Sequence, residues 1–286
     1  MPDRKLLEPA PEEVDVDQKH IRSTTRRDFL IYGAGAIALV SGLWYLLPPD
    51  TQMRLHDSAA ADTPEKTALL NRSLSFDDDV AEALYSPDRM VPTYDISQAL
   101  SPAQLKNNYD GPTPDPAYLD TWRLTISGLE SGSDVTLTAQ ELYDLTARYG
   151  YHDQVTRLCC VEGWSAIAWW GGLRFADLIT EYPPMGAAKW AKLESSVNLA
   201  SDDNGNSVSD PYYVSIDLPT AIHPQTLLAT HQSDEKINVD HGAPLRLIAP
   251  MKLGLKNIKA ITKITYTADQ PRDYWAERGY SKYDGL

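Results

Sequence analysis

Leu158-Cys159-Cys160-Val161-Glu162-Gly163-Trp164-Ser165 holds both cysteines of the 286-residue chain. They are adjacent, and the apolar, aromatic run Ala166-Ile167-Ala168-Trp169-Trp170-Gly171-Gly172 follows them. A cysteine can serve as a buried small hydrophobe, a nucleophile or a soft metal ligand, and the residue types alone leave all three open. Residues 155–160 read as a strand running into the pair. At a strand end the two thiols point to opposite faces, so one can enter a pocket while the other packs in the core. Gly163, just after Glu162, marks a sharp turn of the chain.

Working outward, the elements are short and mixed. Upstream, residues 122–128 alternate apolar and polar side chains as a strand does, and 135–137 read as another. Thr138-Ala139-Gln140-Glu141 is a capping box that opens a helix through about residue 147. Residues 106–112 carry turn chemistry. Downstream, 175–180 read as a short helix, 190–199 and 212–216 as strands around a turn at 202–206, and 218–222 as a helical turn. Residues 224–230 return toward the core. Residues 241–250 pass from a turn into a strand, 252–259 form a basic loop, 261–267 a last strand, and 273–280 an aromatic tail that packs down. The stretch 164–172 reads as a loop that shapes a pocket. There is no βαβ rhythm and no internal repeat, so the expected class is α+β.

Composition narrows the function. The apolar fraction of 42% suits a globular domain, and the 20 prolines favour a loop-rich fold. A net charge of −14 without a basic stripe excludes nucleic acid as a partner. Adjacent cysteines cannot form an ordinary disulfide, and two are too few for a CxxC-type zinc site. Nucleotide-binding glycine motifs and HExxH are absent. His223, His231 and His241 lack a metal-ligand spacing, and Ser165 sits outside any nucleophile elbow. In so acidic a chain Lys252, Lys256 and Lys259 stand out. With Arg246 they can approach a phosphate, or simply form a solvated face.

The N-terminal quarter reads as an address. Residues 1–28 form a cytoplasmic tail, and Thr25-Arg26-Arg27-Asp28-Phe29-Leu30 across its end resembles the twin-arginine export signal. Residues 29–47 carry no charge and would span about 28 Å as a helix, close to the hydrocarbon thickness. Trp44 and Tyr45 suit its far interface. Ala59-Ala60-Ala61 lies about a dozen residues past the apolar run, further than cleavage sites usually sit, so a retained anchor is expected. Residues 48–92 then form a linker and 93–286 the domain, placed in the periplasm. Twin-arginine export carries folded proteins, which implies a cofactor inserted beforehand.

Arg157 to Ser165 with Trp170-Gly171-Gly172 resembles the molybdenum-binding motif of the sulfite-oxidase-like molybdopterin oxidoreductases, in particular their twin-arginine-exported branch. The likeness continues in order through His223-Pro224-Gln225-Thr226, Asp240-His241-Gly242-Ala243-Pro244-Leu245-Arg246, the 250–259 loop and Tyr274-Trp275-Ala276-Glu277-Arg278. It covers residue 90 to the end and implies the sulfite-oxidase-type fold. It also implies a molybdenum–molybdopterin (Mo-MPT) cofactor whose metal takes the Cys160 thiolate, with Cys159 left as a structural neighbour. The pterin and its phosphate would lie against Asn107, Asp110, Gly111, Ser195, His241, Arg246, Asn257, Ile258 and Lys259. The implied activity is oxygen-atom transfer, first the reduction of an S-oxide such as protein methionine sulfoxide. Electrons would come from a haem-containing membrane subunit. The reductase branch has asparagine where His241 stands and sulfite oxidases have histidine, which keeps sulfite oxidation as an alternative. A non-catalytic anchored pterin-binding module is a further one. No immunoglobulin-like dimerisation domain follows, so a monomeric catalytic subunit is expected.

Overall fold

The computed structural model describes residues 5–6, 90–107, 115–201 and 207–278. The sequence expectations for residues 7–89, the tail and apolar span included, lie outside the described residues, as do Asp110 and Gly111. Among the described residues no helix is long and apolar enough to cross a membrane.

Two sheets carry the fold. The first contains β1 (Lys5–Leu6), β4 (His152–Cys159), β5 (Ser165–Arg174), β8 (Leu227–Gln232) and β10 (Arg246–Ile248) in that spatial order, with β9 (Glu235–Lys236) on β8. The second runs β3 (Val135–Thr138), β2 (Arg123–Ser127), β11 (Ile261–Thr267), β6 (Trp190–Ser201), β7 (Ser207–Asp217). β2 and β11 pair in parallel, while β11–β6 and β6–β7 are antiparallel. Among the described residues four short helices, α1 (Tyr118–Thr121), α2 (Ala139–Tyr149), α3 (Phe175–Glu181) and α4 (Leu218–Ile222), fill in between the strands. Mixed sheets with few short helices match the expected class.

The period-2 rule explains how the first sheet can serve two purposes. On β8, Leu228 joins the main core with Leu124, Leu193, Ile264 and Tyr266 of the second sheet. Its neighbours Leu227 and Ala229 face the other way and pack with Ala168 and Trp170 of β5 and Ile248 of β10. Each buried leucine contributes roughly 1.5–3 kcal/mol, so one face of the sheet fastens the domain. The other face forms a second, smaller apolar cluster, the floor of a cavity.

Local chemistry sets several boundaries. α2 begins at Thr138, whose Oγ1 accepts the Glu141 N–H at 3.1 Å while the Glu141 carboxylate accepts the Thr138 N–H at 2.7 Å. Leu142 and Leu145 on its buried face hold it to the core. The loop expected at 164–172 is instead the ten-residue strand β5, paired to β4 from His152↔Gly172 to Cys159↔Ser165 and to β8 on its other edge. Gly171 and Gly172 mark a register shift rather than a chain break. A Cβ at Gly172 would stand 2.3 Å from the Leu228 carbonyl oxygen, so the residue is small because β8 crosses that close.

Candidate functional site

β4 and β5 form a hairpin, and Cys160 is the first residue past the end of β4. Its N–H donates to the Trp164 carbonyl at 2.9 Å and its own carbonyl accepts the Gly163 N–H at 3.1 Å. Gly163 closes this turn at φ +84°, a conformation glycine adopts without strain. Both cysteines are half-buried, and neither is in a disulfide. Alternation separates them as expected: Cys160 lines a cavity of about 250 Å³, and Cys159 does not. The 3-10 helix Gly254–Lys256 presses on the same turn. A Cβ on Gly254 would meet the Cys159 carbonyl oxygen at 3.3 Å and the Cys160 Cα at 3.5 Å.

The same cavity is lined by two cations, Arg246 and Lys259. Arg246 opens β10 and is buried. Its guanidinium donates to the His241 carbonyl at 2.9 Å and the Asn257 carbonyl at 3.3 Å, and it lies 4.4 Å over the Trp170 ring. Lys259 donates to the Asp240 carbonyl at 3.1 Å and to Asn107 Oδ1 at 3.3 Å. Burial, together with the Arg246 charge, pushes the Lys259 ammonium down to about 7. Ser195 Oγ donates to the Lys259 carbonyl at 2.7 Å and so fixes the backbone that carries this lysine. His241 Nε2 is 2.8 Å from the Pro102 carbonyl. Burial, with lesser contributions from Arg246 and Lys259, lowers the His241 pKa, so its imidazole is neutral at pH 7.

Seven of the expected contact residues therefore come together on the cavity wall: Cys160, Ser195, His241, Arg246, Asn257, Ile258 and Lys259. Asn107 stands behind Lys259 as its hydrogen-bond acceptor. Asn257 contributes through its backbone. Its side chain is committed to the Ala249 N–H at 2.7 Å and the Leu253 carbonyl at 3.0 Å.

The basic loop needs correction. Lys256 turns away from the cavity and is buried against Asp273 at 2.6 Å, each side chain being 1% exposed. Lys252 is also buried and off the cavity wall. Of the three lysines, Lys259 alone reaches the wall.

The mouth holds residues that sequence reasoning passed over. Glu162 Oε2 accepts the Lys106 ammonium at 2.8 Å and the Trp164 indole N–H at 2.7 Å. Lys106 also lies 5.3 Å over the Trp164 ring. These hydrogen bonds hold the Glu162 carboxyl below its ordinary value, and Lys106 is raised above its own, first by its hydrogen bond to Glu162. Tyr212, Leu255 and Trp275 complete the rim, and the Tyr212 hydroxyl donates to the Leu255 carbonyl. Lys106 and Glu162 are 56 residues apart, so no local signal could have joined them.

The arrangement fits a soft metal held beside an anion. A thiol is a suitable donor for a metal with sulfur ligands. Two cations taken out of water side by side repel one another, and a phosphate between them turns that cost into charge-assisted hydrogen bonding.

Residues 110–275 match the family described as "Oxidoreductase molybdopterin binding domain", and the chain belongs to that sulfite-oxidase-like family of enzymes. Its cofactor is molybdenum–molybdopterin. A protein of Azospira oryzae, provisionally named protein-methionine-sulfoxide reductase subunit YedZ1, is 34% identical over 224 residues, 78% of each chain. The protein-methionine-sulfoxide reductase catalytic subunit MsrP of Campylobacter jejuni is 32% identical over 166 residues, 57% of this chain and 54% of that one. The sulfane dehydrogenase SoxCD of Paracoccus pantotrophus aligns with a TM-score of 0.44 at 17% identity, over 55% of this chain and 40% of that one.

Proposed function

We propose that this oxidoreductase reduces an S-oxide, with methionine sulfoxide in protein as the leading substrate class. We further propose that it works in the periplasm, tethered by residues 29–47, and takes electrons from a haem-bearing membrane subunit. The observation that carries the reading is the separation of the two cysteines, since the thiol that reaches the cavity, Cys160, shares its wall with the paired cations Arg246 and Lys259. The names of the two relatives above support the reductase direction.

In this reading Cys160 supplies a thiolate ligand, and Arg246 and Lys259 hold the pterin phosphate. Ser195 and the Asn257 carbonyl keep those two cations in place. Neutral His241, tied to Pro102, positions the carbonyl that accepts Arg246. When bound, the cofactor supplies two-electron oxygen-atom transfer. The S-oxide takes up two electrons and two protons and leaves as a thioether and water. The apolar rim, with Trp164 and Trp275, holds the carbon groups on either side of the sulfur and excludes bulk water.

Chain purified from a molybdenum-replete host tests this. Cys160→Ser is expected to lose bound molybdenum. Its viologen-linked S-oxide reduction is expected to fall by more than the roughly 100-fold that removal of an outer-shell partner costs. Equal metal content and turnover in the variant would overturn the assignment.

A further inference from the structure

We propose that Glu162 sets the charge of substrate that the cavity accepts. By neutralising Lys106 it keeps the approach to Cys160 uncharged, which admits a neutral S-oxide and turns away oxoanions such as sulfite. This rests on the S-oxide reading above and adds a specificity residue to it.

Three observations lead there. First, the Glu162 carboxylate is held by two donors at once, Lys106 at 2.8 Å and the Trp164 indole at 2.7 Å, so its position is defined rather than swept through solvent. Second, Lys106 and Glu162 are 54% and 48% exposed. A pair that wet contributes little to stability, yet its charge is felt where a substrate enters. Third, Glu162 is the one carboxylate among the described residues lining the cavity, and its other rim neighbours, Leu105, Val161, Leu255 and Trp275, are apolar. Arg246 and Lys259 already engage backbone carbonyls and face the cofactor's phosphate. Lys106 is then the cation left to greet a substrate, and Glu162 cancels it. Without Glu162 a single ammonium would stand at the mouth above an aromatic ring, which is an anion-attracting arrangement.

The charge at the mouth can be read without any turnover. In the full chain purified from a molybdenum-free host, alkylation at Cys160 is compared for anionic iodoacetate and neutral iodoacetamide, with the modified cysteine located by peptide mass spectrometry. The neutral reagent corrects for changes in access. Glu162→Gln keeps an acceptor for Trp164 and is expected to raise the iodoacetate-to-iodoacetamide ratio by about threefold to tenfold, the effect of one uncovered charge at short range in a wet site. Lys106→Gln is expected to lower it by a similar factor. The exchanged pair, Lys106→Glu with Glu162→Lys, is expected to restore the wild-type ratio. In holoenzyme, Glu162→Gln is expected to raise kcat/KM for sulfite oxidation relative to methionine sulfoxide reduction by a matching factor. Ratios within twofold of wild type in both single variants overturn the proposal, as does an exchanged pair that restores nothing. An unchanged substrate preference in holoenzyme overturns it too. If the alkylation ratios move as expected while wild-type holoenzyme reduces no S-oxide, the charge assignment stands and the S-oxide reading falls.

Discussion

Lys256 and Lys259 sit three residues apart on one loop, and the protein treats them in opposite ways. Behind the loop, Lys256 is buried against the Asp273 carboxylate, which also accepts the Ser215 N–H at 2.7 Å. In front of it, Lys259 is drawn from water beside a second cation, Arg246, and its ammonium is pushed down to about 7. A buried charge with its counter-charge is scaffold. A partly buried charge beside a like charge suits an anion. The same loop thus carries a permanent ion pair on one side and, on the other, a lysine beside Arg246 of β10, the pair that in the proposed reading meets the cofactor's phosphate.

The strongest way to break this contrast is on the scaffold side. Asp273→Asn leaves the Lys256 ammonium buried without a counter-charge, and unfolding in urea should show a loss of about 3–5 kcal/mol. Replacing both partners by apolar residues of similar volume should recover much of it. A variant as stable as wild type would erase the distinction between the two lysines. On the site side the expectation reverses. Lys259→Met should weaken cofactor retention by about tenfold, the value of one charge-assisted hydrogen bond, while the cofactor-free chain loses no stability. Equilibrium dialysis and thermal melting of the same preparations would separate the two effects.

The pH dependence follows from the depressed ammonium. Below pH 7 Lys259 is charged in both folded and unfolded chain, and the fold bears the full cost of its burial. Between about 7 and the ordinary lysine value of 10.5, the unfolded chain binds more protons than the folded one. Cofactor-free wild type should therefore gain stability as pH rises through that window, and Lys259→Met should not. The smallest effect belongs to a third pair, Arg272–Glu277 on the exposed side of the tail. Glu277 is held down to about 2 by its hydrogen bonds to Arg272 and Tyr213. Its contribution is present above 4.5 and lost as pH falls toward 2. Being solvent-exposed, Glu277→Gln should change unfolding at pH 7 by under about 1 kcal/mol. A larger change would mean that exposure does not divide these pairs as argued.

The elements the sequence announces are those with local signals. The Thr138–Glu141 box starts a helix, and residues 261–267 alternate along β11, whose strand bounds they match. β5, expected as a loop, has two glycines near its end, which weaken any strand signal. They answer to neighbours far along the chain, Tyr151 and the β8 backbone, that crowd any Cβ there. The loop lysines could not be sorted for the same reason, because their partners Asp273 and Arg246 are set by tertiary packing. Strand alternation, a local rule, set the two thiols apart, and the family resemblance of Arg157 through Ser165 made Cys160 the expected ligand. Lys106 meets Glu162 only once the sheet has formed.

Trp170, beneath Arg246, has a practical consequence. Together with Trp164 and Trp275 it brings three of the chain's seven tryptophans to the wall of one cavity. A bound metal dithiolene beside these indoles would quench their emission, while Trp122 and Trp190, buried and absent from that wall, would keep theirs. The chain thus carries its own optical gauge of how much of it is loaded, readable during purification without label or substrate.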